Sequence, residues 1–188
     1  MASKHLINGI RSGAAALLLL VTADSAAAGS AGIESFLRAY ECPVSQRLAL
    51  IHERGDRQQE DSRFLLLSVD RTGPGYVQCA FYDDDRQMMC EAESGYFSAE
   101  PGAPRRSFLP AAKVAKLGRL GFSTDASQGN FQRNMDTGTS AELRSVARLL
   151  LSALYEAYGA RLDEPIEVDA PLLPEFRPTL DQTECLVG

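Results

Sequence analysis

Ile33, Phe36, Leu37 and Tyr40 recur at the three- and four-residue spacing that places side chains on one helical face, which predicts a short amphipathic helix. Pro43 has no amide hydrogen to give a helix interior and is expected to interrupt it. Ser45 to Arg54 resumes helical spacing, with Leu48 and Ile51 on one side and Gly55 as a stop. The polar stretch Asp56 to Asp61 reads as a loop. The period then changes. Phe64-Leu65-Leu66-Leu67-Ser68-Val69 is a continuous apolar run, as expected of a strand covered on both faces. Thr72-Gly73-Pro74-Gly75 is a turn signal. Two strand-like runs, Tyr76 to Tyr82 and Gln87 to Glu93, flank Asp83-Asp84-Asp85-Arg86, so three consecutive antiparallel strands are expected, with Gly95-Tyr96-Phe97 extending the last.

Ser98 to Ser107, rich in proline and glycine, reads as an exposed loop. Pro110 opens a short helix with Val114 and Leu117 facing inward and Gly118 at its end. A short strand is expected at Phe131. The strongest element is Ser140 to Tyr158: Thr139 or Ser140 caps it, and Glu142 sits favourably in its first turn. Its apolar face is Val146, Leu149, Leu150, Ala153, Leu154 and Ala157, and Gly159 stops it. The proline-containing stretch from Asp163 is expected to cross the surface toward Cys185.

The first residues follow a different logic. Lys4, His5 and Arg11 make a weakly basic start, Ala14 to Val21 a short apolar run, and Ala26-Ala27-Ala28 offers Ala-x-Ala frames. Positive charge holds the start on the cytoplasmic side, the apolar run partitions into the bilayer, and small side chains fit a signal peptidase. Asp24 ends the run well short of the roughly 20 apolar residues of a membrane-spanning helix. A cleaved export signal ending near Ala28 is expected, followed by a single α/β domain over 29–171 and a tail over 172–188. That leaves no stable membrane anchor after cleavage, and the destination is the periplasm or the exterior.

Export changes the meaning of the cysteines. All four (Cys42, Cys79, Cys90, Cys185) lie beyond the signal, and an even count in an exported chain favours disulfides. With Asp84-Asp85 at the turn centre, facing residues have numbers adding to 169, which sets Cys79 opposite Cys90 within bonding range. Cys42 and Cys185 would then tie the two ends of the chain together. No C-x-x-C occurs, so a zinc site is not indicated.

Composition narrows the function further. The chain is 188 residues long, 45% hydrophobic and 23% charged, enough for one packed core. Its net charge of −6 becomes −7 when Lys4, Arg11 and Asp24 are removed with the signal. The basic residues are scattered, so a nucleic-acid partner is disfavoured. His52 is the one histidine outside the signal, and no G-x-S-x-G nucleophile elbow accompanies it. Phosphate-cradling glycine motifs are absent too, and no cofactor is expected. Asp83-Asp84-Asp85 lacks the spaced ligand pattern of a calcium loop and reads as a solvated turn. Glu91 and Glu93 share a strand face, most simply its solvent side. Met88-Met89 reads as core packing, with an adaptable binding surface as the alternative.

A series of short segments resembles the TY-Chap group, which joins type III secretion chaperones with YbjN-like proteins. The segments are Phe64 to Leu67, Tyr76-Val77-Gln78-Cys79, Cys90-Glu91-Ala92, Leu117 to Phe122, Asn130-Phe131-Gln132-Arg133 and Tyr155 to Gly159. The resemblance spans about Ser45 to Pro171. It implies an α+β fold: a twisted antiparallel sheet packed against a long C-terminal helix and a shorter N-terminal one. It also implies binding of protein or peptide segments, often as a homodimer, without catalysis. The export signal and the cysteines at Cys79 and Cys90 depart from that group's pattern and argue against a role in loading a secretion machine. An enzyme or enzyme inhibitor of unrecognised type, and an envelope structural or stress protein without a dedicated ligand, stay open beside the binding module.

Overall fold

The computed structural model describes residues 21–54, 62–69, 75–97, 108–127 and 129–185, with the backbone alone for 21–30. The basic start and apolar run through Leu20, the loop Asp56–Asp61, the turn residues Thr72–Pro74 and the loop Ser98–Ser107 lie outside the described residues. The chain through Gly32 groups apart from a compact unit, Ile33–Gly188, which holds the features discussed below.

The unit is an α+β structure built on one antiparallel sheet. Strands β1 (Phe64–Ser68), β2 (Tyr76–Tyr82), β3 (Gln87–Ala92), β4 (Phe131–Asp136) and β5 (Glu167–Asp169) lie in the order β4-β3-β2-β1-β5. Helices α1 (Val21–Arg54), α2 (Ala111–Arg119) and α3 (Ser140–Ala153) complete it, and α3 runs into a single π-helical turn, Leu154–Tyr158.

Helix α1 is continuous through Pro43, where an interruption was expected. The stripe Phe36, Tyr40, Val44, Leu48 and Ile51 is buried at near-helical intervals on both sides of the proline. Each fully buried apolar side chain contributes about 1.5–3 kcal/mol, against about 3 kcal/mol for an internal proline, so packing decides. Helix α3 starts as its sequence suggests: Thr139 Oγ1 accepts a hydrogen bond from the Glu142 amide at 3.2 Å. Gly159, in the left-handed region at φ 88°, caps the π turn. Helix α2 runs one residue past Gly118, and the chain reverses instead at Gly121, φ 85°.

Among the described residues the sheet has one covered face and one open one. Leu65, Leu67, Val77, Cys79, Phe81, Met88, Cys90, Ala92 and Phe131 join the helix stripes in a single core. On β1 only Leu65 and Leu67 are fully enclosed, while Phe64 and Leu66 are half-buried, so this strand is not covered on both faces as its apolar run suggested. Nor does the stretch after Asp163 merely cross the surface. It supplies β5, which pairs with β1, and buries Ile166, Leu173 and Leu180. The Val168 amide donates to the Pro178 carbonyl at 2.7 Å and the Leu180 amide to Ile166 at 2.9 Å, so the last segment covers the outer edge of β5.

The β2–β3 register places Val77 opposite Ala92, Cys79 opposite Cys90 and Tyr82 opposite Gln87, as the turn-centred count requires. The Cys79 and Cys90 Cα atoms are 4.0 Å apart and their sulfurs are bonded; both residues are fully buried. Cys42 and Cys185 form the second disulfide across 143 residues of sequence. Closing a loop of that length contributes about 5 kcal/mol in chain-entropy terms. Structural disulfides belong to oxidising compartments, which places the chain outside the reducing cytosol. Among the described residues no helix is long and apolar enough to cross a membrane.

The acidic turn is not simply solvated. Asp83, Asp84 and Asp85 all adopt positive φ (52°, 54° and 65°), a region that costs L-residues energy and that aspartate tolerates better than most. Asp83 and Asp84 are exposed, but Asp85 is buried, with its carboxylate 2.5 Å from the buried guanidinium of Arg63. Arg63 in turn lies over the Phe81 ring at 5.5 Å.

Two outcomes follow. Asp84→Gly relieves the left-handed strain and should be neutral to stabilising by up to about 1 kcal/mol, whereas Asp85→Gly strands Arg63 and should cost about 3 kcal/mol or more; urea denaturation of both variants gives the two signs. Mild reduction followed by alkylation should label exposed Cys42 and its partner Cys185 under native conditions, and Cys79 and Cys90 only as the fold opens. Simultaneous labelling of all four would contradict the burial of the hairpin pair.

Candidate functional site

Alternation along paired strands sorts the side chains into rows. On the open face one row reads Asp169, Leu66, Gln78, Glu91 and Gln132; the next reads Phe64, Ala80, Met89 and Asn134; a third reads Tyr82, Gln87 and Asp136. These are the residues that point away from the helices, because their strand neighbours fill the core. They leave a groove of about 670 Å³ lined by Phe64, Gln78, Ala80, Phe81, Tyr82, Met89 and Asn134. The groove lies along the sheet face, and its apolar floor comes from the middle row. Met89 is 38% exposed there.

Beside that row, Glu91 is held from both sides. Its Oε2 accepts from Gln78 Nε2 at 2.8 Å and its Oε1 from Gln132 Nε2 at 2.9 Å. Two neutral amides fix the carboxylate without neutralising it. Glu93, expected on the same solvent face, is instead buried just beyond β3, where its Oε2 accepts from the Gly75 amide at 2.6 Å. Gly75, at φ 137°, brings its backbone in against both Glu93 and the Tyr158 ring.

Glu93 belongs to a buried polar cluster at this end of the sheet. The Tyr158 hydroxyl donates to the Glu93 carbonyl at 2.6 Å, and Asn130 Nδ2 donates to the Tyr76 hydroxyl at 2.8 Å. The Ser94 amide donates to Asn130 Oδ1, and the Ser94 hydroxyl to the Gly129 carbonyl. Burial pushes the Tyr158 hydroxyl far above the ordinary tyrosine range, with the Glu93 charge adding to it. Burial raises Tyr76 as well, partly opposed by its hydrogen bond to Asn130. Phenols held protonated in this way are hydrogen-bond partners rather than bases, and the cluster braces β2, β3 and the π turn against one another.

The remaining candidates from the sequence are dispersed. His52 is half-buried on α1 with its ring 5.4 Å from that of Phe81, and it does not line the groove. Met88 and Met89 are split by the pleat, Met88 into the core and Met89 onto the open face. Among the described residues no three His, Cys, Asp or Glu side chains come together as a metal site. Smaller grooves of about 360 Å³ lie beside the Cys42–Cys185 bond and along the prolines of the last segment. Arg47, fully buried in the second of these, is already engaged by Glu184 through two contacts of 2.7 and 2.8 Å. Phe64, Ala80, Tyr82 and Asn134 were not singled out by sequence; the one available signal was that β1 is apolar at both odd and even positions. Compared with known proteins, the chain matches no family model, no curated protein and no solved structure.

The brace yields a pH prediction. A folded-state pKa raised above the unfolded value near 10 stabilises the fold fully below pH 10, and that stability is lost as pH climbs above it. Tyr158→Phe should cost about 1 kcal/mol near neutral pH through the lost hydrogen bond, and its stability should then fall less steeply than wild type above pH 10. Parallel slopes in denaturant titrations across that range would refute the assignment.

Proposed function

We propose that this chain is an exported, non-catalytic binding module that holds a segment of another polypeptide on the open face of its sheet, in the periplasm or outside the cell. The observation that carries this reading is the half-exposed apolar row Phe64, Ala80 and Met89 at the centre of a sheet whose other face carries the core. A soluble domain that leaves such a row open gains by covering it with a partner. The groove lies along the sheet face, as a site for an extended or helical segment does. The side chains most suited to acid–base work do not converge: His52 lies tilted against the Phe81 ring, Glu93 accepts from a backbone amide, and the half-buried Tyr158 is held protonated. The resemblance of the Tyr76-Val77-Gln78 and Tyr158-Gly159 segments to the TY-Chap group points the same way.

A photo-crosslinking side chain placed at Met89, with controls at exposed Arg38 on α1 and Arg144 on α3, tests the surface in the native compartment. Discrete polypeptide adducts are expected from Met89 and not from the two helix positions. Equal adducts at all three sites, or none at Met89 in a folded protein, would remove the open face as a binding surface.

A further inference from the structure

The rows of the open face say something about the chemistry of what covers it. We infer that the occupant is a cationic amphipathic segment, setting an apolar side chain into the groove at Met89 and a lysine or arginine against Glu91. This rests on the open face being the binding surface, and it adds the partner's charge and spacing.

Glu91 stands in the middle of the face, two positions from Met89 on the same strand and so about 6.6 Å away along it. Its two hydrogen bonds come from neutral amides, which hold the carboxylate in place and leave its charge uncompensated. The other carboxylates on the exposed rows, Asp136 and Asp169, are exposed as well. Among the described residues no cation of β1 to β5 is on this face. Arg63 is engaged on the buried side with Asp85, Arg86 is held by Asp83 at 2.8 Å, and Arg133 donates to the Leu120 carbonyl.

That pattern discriminates between occupants. A neutral segment that covered both the groove and the neighbouring Glu91 would strip water from the carboxylate and return nothing, and an acidic one would add repulsion. A second copy of this chain, paired through the same face about a two-fold axis, would bring acidic rows together. An anionic membrane surface would be repelled for the same reason. A basic residue near an apolar anchor satisfies both rows at once. The 6.6 Å offset is matched by residues i and i+2 of a strand, or closely by i and i+3 or i+4 of a helix.

The test uses the full chain and three designed amphipathic peptides that share one leucine stripe and differ only in flanking lysine, glutamine or glutamate. The lysine peptide should bind at least about tenfold more tightly than the glutamine peptide, as a partly desolvated charged contact implies. The glutamate peptide should not bind, and the lysine preference should shrink in high salt. Glu91→Gln should abolish most of that preference, bringing the lysine and glutamine peptides to similar affinity, and Met89→Gln should weaken whatever binds. If the glutamine or glutamate peptide binds as tightly as the lysine one, the charge inference is wrong while the open face stands as a binding surface. A lysine preference untouched by Glu91→Gln also overturns it. If no peptide binds, yet Met89 crosslinks a natural partner through a neutral or acidic segment, the inference again fails and the surface reading survives. Failure of both peptides and crosslinks removes both. A concentration-dependent dimer dissolved by Met89→Gln would show that a second copy is the occupant and overturn the inference.

Discussion

The register of the β2–β3 hairpin is the constraint from which most of this molecule follows. Side chains in a strand alternate between faces, so pairing Cys79 with Cys90 settles the facing of every residue on both strands. Val77, Phe81, Met88 and Ala92 then point into the core with the disulfide. Gln78, Ala80, Met89 and Glu91 must point out. A slip of one residue would bury Glu91 and expose Met88, so the bond that locks the register also creates the open face. The turn contributes to the same end at a cost in backbone energy. Three consecutive aspartates in the left-handed region bring the buried Asp85 to Arg63, which joins the hairpin to the entry of β1.

A second set of contacts closes the chain on itself. Cys185 is bonded to Cys42, and the neighbouring Glu184 pairs with Arg47, slightly more than one helical turn further along α1. Arg47 is fully buried, and removing its carboxylate would leave an uncompensated charge inside the fold. Phe176 lies against the same guanidinium, with 5.1 Å between its ring centroid and the Arg47 guanidinium carbon. The disulfide keeps the ion pair together by holding the chain end within reach, and the segment so retained covers the edge of β5. Covering that edge removes a strand that could otherwise pair with another chain.

The two faces of the sheet therefore divide the work of the molecule. Helices, hairpin disulfide and tyrosine brace hold one side rigid, and the other side is left as a platform whose apolar row and fixed carboxylate keep their spacing. In the proposed reading a partner would meet this platform already arranged, because the orientation of Glu91 is set beforehand by Gln78 and Gln132.

Local pattern determined much of this by itself. The hairpin with its register and cysteine pair, the capped helix ending at Gly159, and the short helix after Pro110 each depend on residues close in sequence, where spacing and turn chemistry decide the outcome. What the sequence did not disclose depends on residues that are distant in the chain. Helix α1 runs through Pro43 because its stripe is buried by partners elsewhere in the fold. Strand β5 is three residues long and is recognisable only by its pairing with β1. Asp85 and Glu93 read as solvated carboxylates until Arg63 and Gly75 are brought to them. The candidate site was the least legible part, because a strand apolar at every position looks alike whether both of its faces are covered or one is left open. Only the tertiary arrangement, with the described helices on one side of the sheet, decides which.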